Sequence, residues 1–174
     1  MAGERGWNFV HPFEDPKVIA GQGSIGVELM DVKPDVVVIP IGGGGLISGL
    51  GLYLQSQNVR VVGAQIVNVD NMARSLSNRP LLPSYPPTLG DGVRVLSISP
   101  LTHSIIKRVC KEIILVTEKE VRQAVRDLAL HEKVVVEGAG AVAVAALGKV
   151  EGVRKVAVVS GGNIDMGVFA GVLG

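Results

Sequence analysis

Four consecutive glycines, Gly42 to Gly45, stand between a valine-rich run that ends at Ile41 and an apolar stretch at helical spacing, Leu46 to Leu54. Glycines at the start of a helix leave backbone N–H groups unobstructed where the positive end of the helix dipole favours an anion, so the chemistry they point to is phosphate binding. A Walker A loop would place a lysine directly behind the glycines, whereas the next lysine is Lys107, which speaks against ATP hydrolysis. A dinucleotide fingerprint would put its third glycine at Ile47 or Ser48 and needs an acid about twenty positions on, where the chain reads Gln65-Ile66. Two readings stay open: a monophosphate cofactor such as pyridoxal phosphate held by backbone amides, or a close strand–helix contact with no ligand.

A second glycine turn, Gly161-Gly162-Asn163, follows a strand candidate ending at Ser160. Ligands of open parallel sheets gather at the C-terminal strand ends, so Ser160 and the Gly42 to Gly45 loop are expected to face one cleft. A serine hydroxyl there suits a hydrogen bond to a pyridine nitrogen; read alone it is an ordinary turn hydroxyl. Glu137 opens a helix of small residues, where a carboxylate ordinarily serves the helix dipole or caps the first turn, with a pocket role as the minority reading. Asp91 sits between Gly90 and Gly92 as a turn residue, and the flanking glycines suggest a backbone in need of unusual freedom. His11, His103 and His131 have no metal-type spacing and are expected at the surface or as caps. Cys110 reads as a small core residue rather than a nucleophile, and Trp7 and Phe9 are expected to pack an N-terminal arm.

The elements that would position these groups alternate. Strands are expected at Asp35 to Ile41, Arg60 to Ile66, Glu112 to Thr117 and Lys155 to Ser160, with helices at about 19–31, 45–56, 70–78, 100–108, 118–131 and 137–148. That alternation predicts an α/β fold of three layers, a parallel sheet with helices on both faces. Thr117-Glu118-Lys119-Glu120 has the form of a capping box, and Pro80 to Pro87 reads as a loop leading into Thr88-Leu-Gly-Asp-Gly-Val93.

The 174 residues suffice for one domain with a sizeable core. Seventeen basic against sixteen acidic residues, with no Lys/Arg cluster, argue against a nucleic-acid partner and favour a small neutral or zwitterionic one. The longest apolar runs are far below bilayer length, no signal-peptide pattern opens the chain, and one cysteine allows no internal disulfide, so a soluble cytoplasmic protein without a membrane partner is expected.

Taken in order, Gly42-Gly-Gly-Gly-Leu46, Thr88-Leu-Gly-Asp-Gly-Val93, Val136-Glu-Gly-Ala-Gly-Ala141 and Ser160-Gly-Gly-Asn-Ile-Asp165 resemble the motifs of threonine dehydratases and serine racemases. His11-Pro-Phe-Glu-Asp-Pro16 resembles the segment ahead of the glycine loop in the same enzymes. The resemblance spans essentially the whole chain and implies a fold-type II pyridoxal-phosphate enzyme that deaminates L-threonine or L-serine to a 2-oxo acid. It implies that Gly42, Gly43, Gly44, Gly45 and Leu46 hold the cofactor's phosphate, that Ser160 meets the pyridine nitrogen, and that Gly92 and Glu137 line the cofactor pocket. Relatives carry their Schiff-base lysine in a Ser-x-Lys-x-Arg-Gly segment, and an asparagine loop for the cofactor hydroxyl, both upstream of Met1 in such an alignment. Neither motif occurs here, so residues 1–174 are expected to be one unit, the C-terminal part of the large cofactor domain, incomplete and without a catalytic residue of its own. Some relatives bind a divalent cation where this chain has Gln65 and Asn71, neither of them an acid, and no metal is expected. Three settings follow: a split enzyme completed by an N-terminal half polypeptide, a non-catalytic cofactor-binding or regulatory module, or a truncated product held by self-association as a homodimer. The sequence separates neither these settings nor threonine from serine.

Overall fold

The computed structural model describes residue 4 and residues 6–174. Strands β1 (Val36–Pro40), β2 (Arg60–Ile66), β3 (Cys110–Val116) and β4 (Lys155–Ala157) form one sheet in the order β3-β2-β1-β4, every pair parallel. Helices α1 (Pro16–Gln22) and α2 (Ser24–Leu29) precede β1. They are followed by α3 (Gly45–Ser56), α4 (Asn71–Leu76), α5 (Pro100–Val109), α6 (Glu118–Asp127), α7 (Gly138–Leu147) and α8 (Met166–Leu173).

The central strand shows why the sheet must be covered twice. Alternate side chains of a strand point to opposite faces, and all five residues of β1 are buried. Val36 and Val38 pack on one side against Ala139, Val142, Ala143 and Ala146 of α7. Val37 and Ile39 pack on the other against Ile47, Leu50 and Leu54 of α3 and Ile106 and Val109 of α5. Burying each such Val, Ile or Leu contributes about 1.5–3 kcal/mol before conformational entropy is set against it. A third cluster joins α6, α7 and α8 through Val125, Leu128, Ala141, Phe169 and Val172.

The alternation read from the sequence gives the right layers, with changes at the edges. The expected helix at 19–31 begins earlier and is broken in two. Asp15 caps α1 by accepting from the N–H groups of Lys17 and Val18 with Pro16 at the first turn, and Gly23 separates α1 from α2 where the backbone of Gly49 comes close. The helix expected at 118–131 is α-helical to Asp127 and continues as a π-helical turn, Leu128–Glu132. The strand expected at 155–160 stops at Ala157, and Ser160 lies beyond it; the last ladder bond is Val158 N–H to Val38 O at 3.0 Å. Helix α8 was not foreseen; its signal was Asp165, whose carboxylate accepts from Gly167 and Val168 N–H ahead of an apolar run. Trp7 and Phe9 pack no core, being 63% and 73% exposed, although Phe9 meets the His11 ring edge-on. No helix among the described residues is long and apolar enough to cross a membrane.

Candidate cofactor site

The site lies at the C-terminal ends of β1 and β4, neighbours in the sheet. A cavity of about 230 Å³ there is lined by Gly42, Gly43, Gly44, Gly45, Leu46, Gly92, Glu137 and Ser160, all eight residues that the sequence nominated. Pro12, Phe13, Gln22, Pro40, Val93 and Ala139 complete the wall.

Local geometry explains why the loop is glycine. Gly44 has φ +90°, in the left-handed region, and a Cβ there would lie 2.7 Å from Ile106 Cδ1. A Cβ on Gly43 would lie 2.3 Å from the Phe13 ring, and one on Gly45 2.9 Å from the Phe13 backbone. Phe13 is fixed in turn by His11, whose Nδ1 accepts from the N–H groups of Phe13 and Glu14 while its ring packs edge-on against that of Phe13 at 4.5 Å. The His11 to Pro16 segment is thus a lid on the loop. His11 is a cap as expected and His131 is exposed, but His103 departs from that expectation, with Nε2 buried and unpartnered.

The amides of Gly42, Gly43 and Gly44 donate to no acceptor among the described residues. The first intrahelical bond of α3 runs from Ser48 N–H to Gly44 O, so Gly45, Leu46 and Ile47 contribute the unpaired amides of a first helical turn. A run of free N–H groups at the positive end of a twelve-residue helix fits a phosphate, with no cation needed in the lining.

Glu137 is held by the second glycine turn, not by the helix it opens. Its side chain makes no capping bond to α7; Oε2 accepts from Asn163 N–H at 3.0 Å, and its own N–H donates to Gly161 O at 3.1 Å. Glu137 thus lines the cavity and does not cap α7. Small residues let this happen: a Cβ on Gly138 would lie 2.2 Å from Leu89 O, one on Gly140 2.5 Å from Gly161 O, and one on Gly161, with φ +150°, 2.5 Å from Glu137 Oε1. Gly90 and Gly92 do not have positive φ, so the unusual backbone expected around Asp91 is absent. Space is what excludes side chains there, since a Cβ on Gly92 would sit 3.0 Å from both Ala139 Cβ and Glu137 Oε1.

The positions considered for a cation are occupied by internal bonding. Gln65 and Asn71 bond to backbone groups, and Asp70 pairs with Arg74 at 3.0 Å and Arg79 at 3.7 Å. No group of three or more His, Cys, Asp or Glu side chains that could hold a metal ion occurs among the described residues.

The family model for pyridoxal-phosphate dependent enzymes matches residues 1–161. The chain belongs to that family. An L-threonine ammonia-lyase of Thermotoga maritima is 47% identical over 169 residues, covering 92% of this chain and 42% of that protein. Among solved structures, the processed form of threonine deaminase isoform 2 from Solanum lycopersicum superposes with a TM-score of 0.90 at 30% identity, covering 98% of this chain and 50% of that one. Maize serine racemase gives 0.89 at 30% identity, covering 98% and 57%. The chain spans about half the length of the curated relatives it matches. Its four-stranded parallel unit is therefore a fold-type II pyridoxal-phosphate architecture, present in part.

What the sequence missed is what touches the site from far along the chain. Phe13 sits in the His11 to Pro16 segment, matched to the family without a role for any one residue, and Gln22 in a segment read only as helix; the need for glycine at 43 and 45 was the available clue to a close neighbour.

Proposed function

We propose that this chain carries the phosphate-binding and ring-binding side of an L-threonine or L-serine ammonia-lyase site, the C-terminal part of the cofactor domain, and that by itself it does not turn over substrate. The observation that carries this reading is that one cavity gathers the glycine loop, Gly92, Glu137 and Ser160 in its lining, which includes no lysine. Pyridoxal phosphate, when bound, supplies an electron sink for the bonds at an amino acid's α-carbon.

The chain's own residues then have separable roles. The amides of Gly42 to Leu46 hold the phosphate; Ser160 offers a hydroxyl to the pyridine nitrogen without the full charge an aspartate would bring; Gly92 leaves room for the ring edge beside Glu137. An ammonia-lyase also needs a base that takes the α-proton, and in pyridoxal enzymes that group is the lysine joined to the cofactor. Of the lysines at the sheet, Lys155 Nζ donates to Leu147 O and Val150 O, Lys149 Nζ pairs with Glu120, and Lys111 on β3 lines a different cavity. The lysine joined to the cofactor has to come from chain other than residues 1–174, such as an N-terminal half. Edge strand β4 and the exposed Val153 and Val159 beside it are where it would add.

The test is borohydride reduction of the purified chain with pyridoxal phosphate, read by intact mass, beside a 2-oxobutyrate assay with L-threonine. Neither a stoichiometric adduct nor product is expected from the chain alone. A single-lysine adduct with product would overturn the proposal.

A further inference from the structure

The amides of the glycine loop are free, but two carbonyls of the same backbone are gripped. Thr102, fully buried in the first turn of α5, donates its hydroxyl to Gly43 O at 2.9 Å. Gln65, 2% exposed near the end of β2, donates its carboxamide N–H to Ile41 O at 3.2 Å and reaches Val69 O at 3.4 Å. Its oxygen accepts from Ala73 N–H at 2.9 Å, so the position uses both the donor and the acceptor of a carboxamide.

A trans peptide is a rigid plane whose C=O and N–H point in opposite directions, and no cis bond occurs among the described residues. Holding Ile41 O therefore sets the direction of Gly42 N–H, and holding Gly43 O sets that of Gly44 N–H. Both glycines line the cavity and neither amide has an acceptor among the described residues. Four glycines in a row would otherwise let these peptides turn over at little cost.

We infer that Thr102 and Gln65 are positioning residues for the phosphate loop, each aiming one amide at the anion through the peptide whose carbonyl it holds. The inference rests on the reading of Gly42 to Leu46 as a phosphate cradle. Neither side chain touches the cavity itself, which is why no motif announces them. The position of the donors matters more than their bulk: Thr102 also caps the turn against Ser99 O at 3.4 Å, a weaker contact than the one it makes to Gly43.

The experiment uses the whole 174-residue chain. Thr102→Val keeps the shape and removes the hydroxyl, Thr102→Ser restores it, and Gln65→Met is the second, independent variant. Calorimetry measures pyridoxal phosphate, unphosphorylated pyridoxal and inorganic phosphate separately, and amide NMR follows Gly42 and Gly44 without any ligand. Thr102→Val and Gln65→Met are expected to weaken pyridoxal phosphate and inorganic phosphate about three- to tenfold, the range one hydrogen bond spans. Pyridoxal binding should stay unchanged, and Thr102→Ser should fall within about twofold of the parent. Without ligand, Thr102→Val should shift the Gly44 amide and Gln65→Met the Gly42 amide. Equal weakening of pyridoxal and its phosphate, or unmoved glycine amides in folded variants, would overturn the inference. If the parent chain binds no phosphate compound at all, the cofactor reading fails, and the glycine amides alone then decide whether these two residues orient the loop.

Discussion

Cys110 shows how position rather than residue type decides chemistry. It opens β3, 9% exposed, packed in the cluster formed by α3, α5 and the sheet, with its thiol donating to Glu112 O at 3.0 Å. Burial pushes that thiol up from 9.0 to about 11, which withdraws the nucleophilic thiolate at neutral pH. A disulfide reagent at pH 8 should label it far more slowly in the native chain than in urea; equal rates would contradict the buried assignment. Because the folded value is the higher one, the folded state holds this proton more tightly. The associated stability is complete below pH 9 and is lost as pH rises towards 11. The core reading of Cys110 was legible from its type and its place at the end of an apolar-faced helix; the glycine loop was legible locally, whereas Gly92 and Glu137 were nominated only through the family resemblance. Phe13, Gln22, Gln65 and Thr102 were nominated for the site by neither route: Thr102 meets Gly43 across 59 positions, and no local pattern encodes that contact.

Among the elements, α6 was the most readable. Thr117 accepts from Glu120 N–H at 3.3 Å, while Glu120 Oε2 accepts from Thr117 N–H at 2.7 Å, the reciprocal pair foreseen from four residues. Unforeseen was Lys149, just beyond α7, which reaches Glu120 Oε1 at 2.7 Å and ties the two helices together. Bonding to Lys149, then to Thr117, holds the Glu120 carboxyl down from 4.5 to about 2. A depressed folded value means the contribution is present above pH 4.5 and is lost as pH falls towards 2. Glu120→Gln should therefore lower the urea midpoint at pH 7 and leave little difference near pH 2. Half the effect at pH 7 should vanish in molar salt, since both partners are more than a third exposed. A loss that fades with acid but is insensitive to salt would mean that the capping bonds alone matter. Helix α8 escaped notice because its apolar residues run almost continuously and give no amphipathic period; the Asp165 cap starts it, and burial of Phe169 and Val172 against α6 and α7 holds it.

For the whole molecule, protection is graded across the sheet. β1 is covered on both faces and paired on both sides, whereas β4 spans three half-buried residues and has an open edge. Amide exchange should therefore be slowest in β1 and β2 and markedly faster in β4 and in the turn after it. Mass spectrometry of deuterated peptides reads this directly, and uniform protection would contradict the sheet order. Shared binding of a larger partner at the β4 edge would slow exchange there first.

The pairing of β4 with β1 also sets an order in time. Asp35, just ahead of β1, takes the N–H of Arg154 at 2.7 Å across 119 positions, and the second glycine turn follows that junction. During synthesis the Gly42 to Gly45 loop is made long before the opposite wall of the cavity with Ser160. Until then β1 presents a bare, all-apolar edge, the kind of surface that chaperones retain and that wrong strands find. Any ligand that needs both walls of this cavity is therefore held in full only by chains whose synthesis has passed the junction.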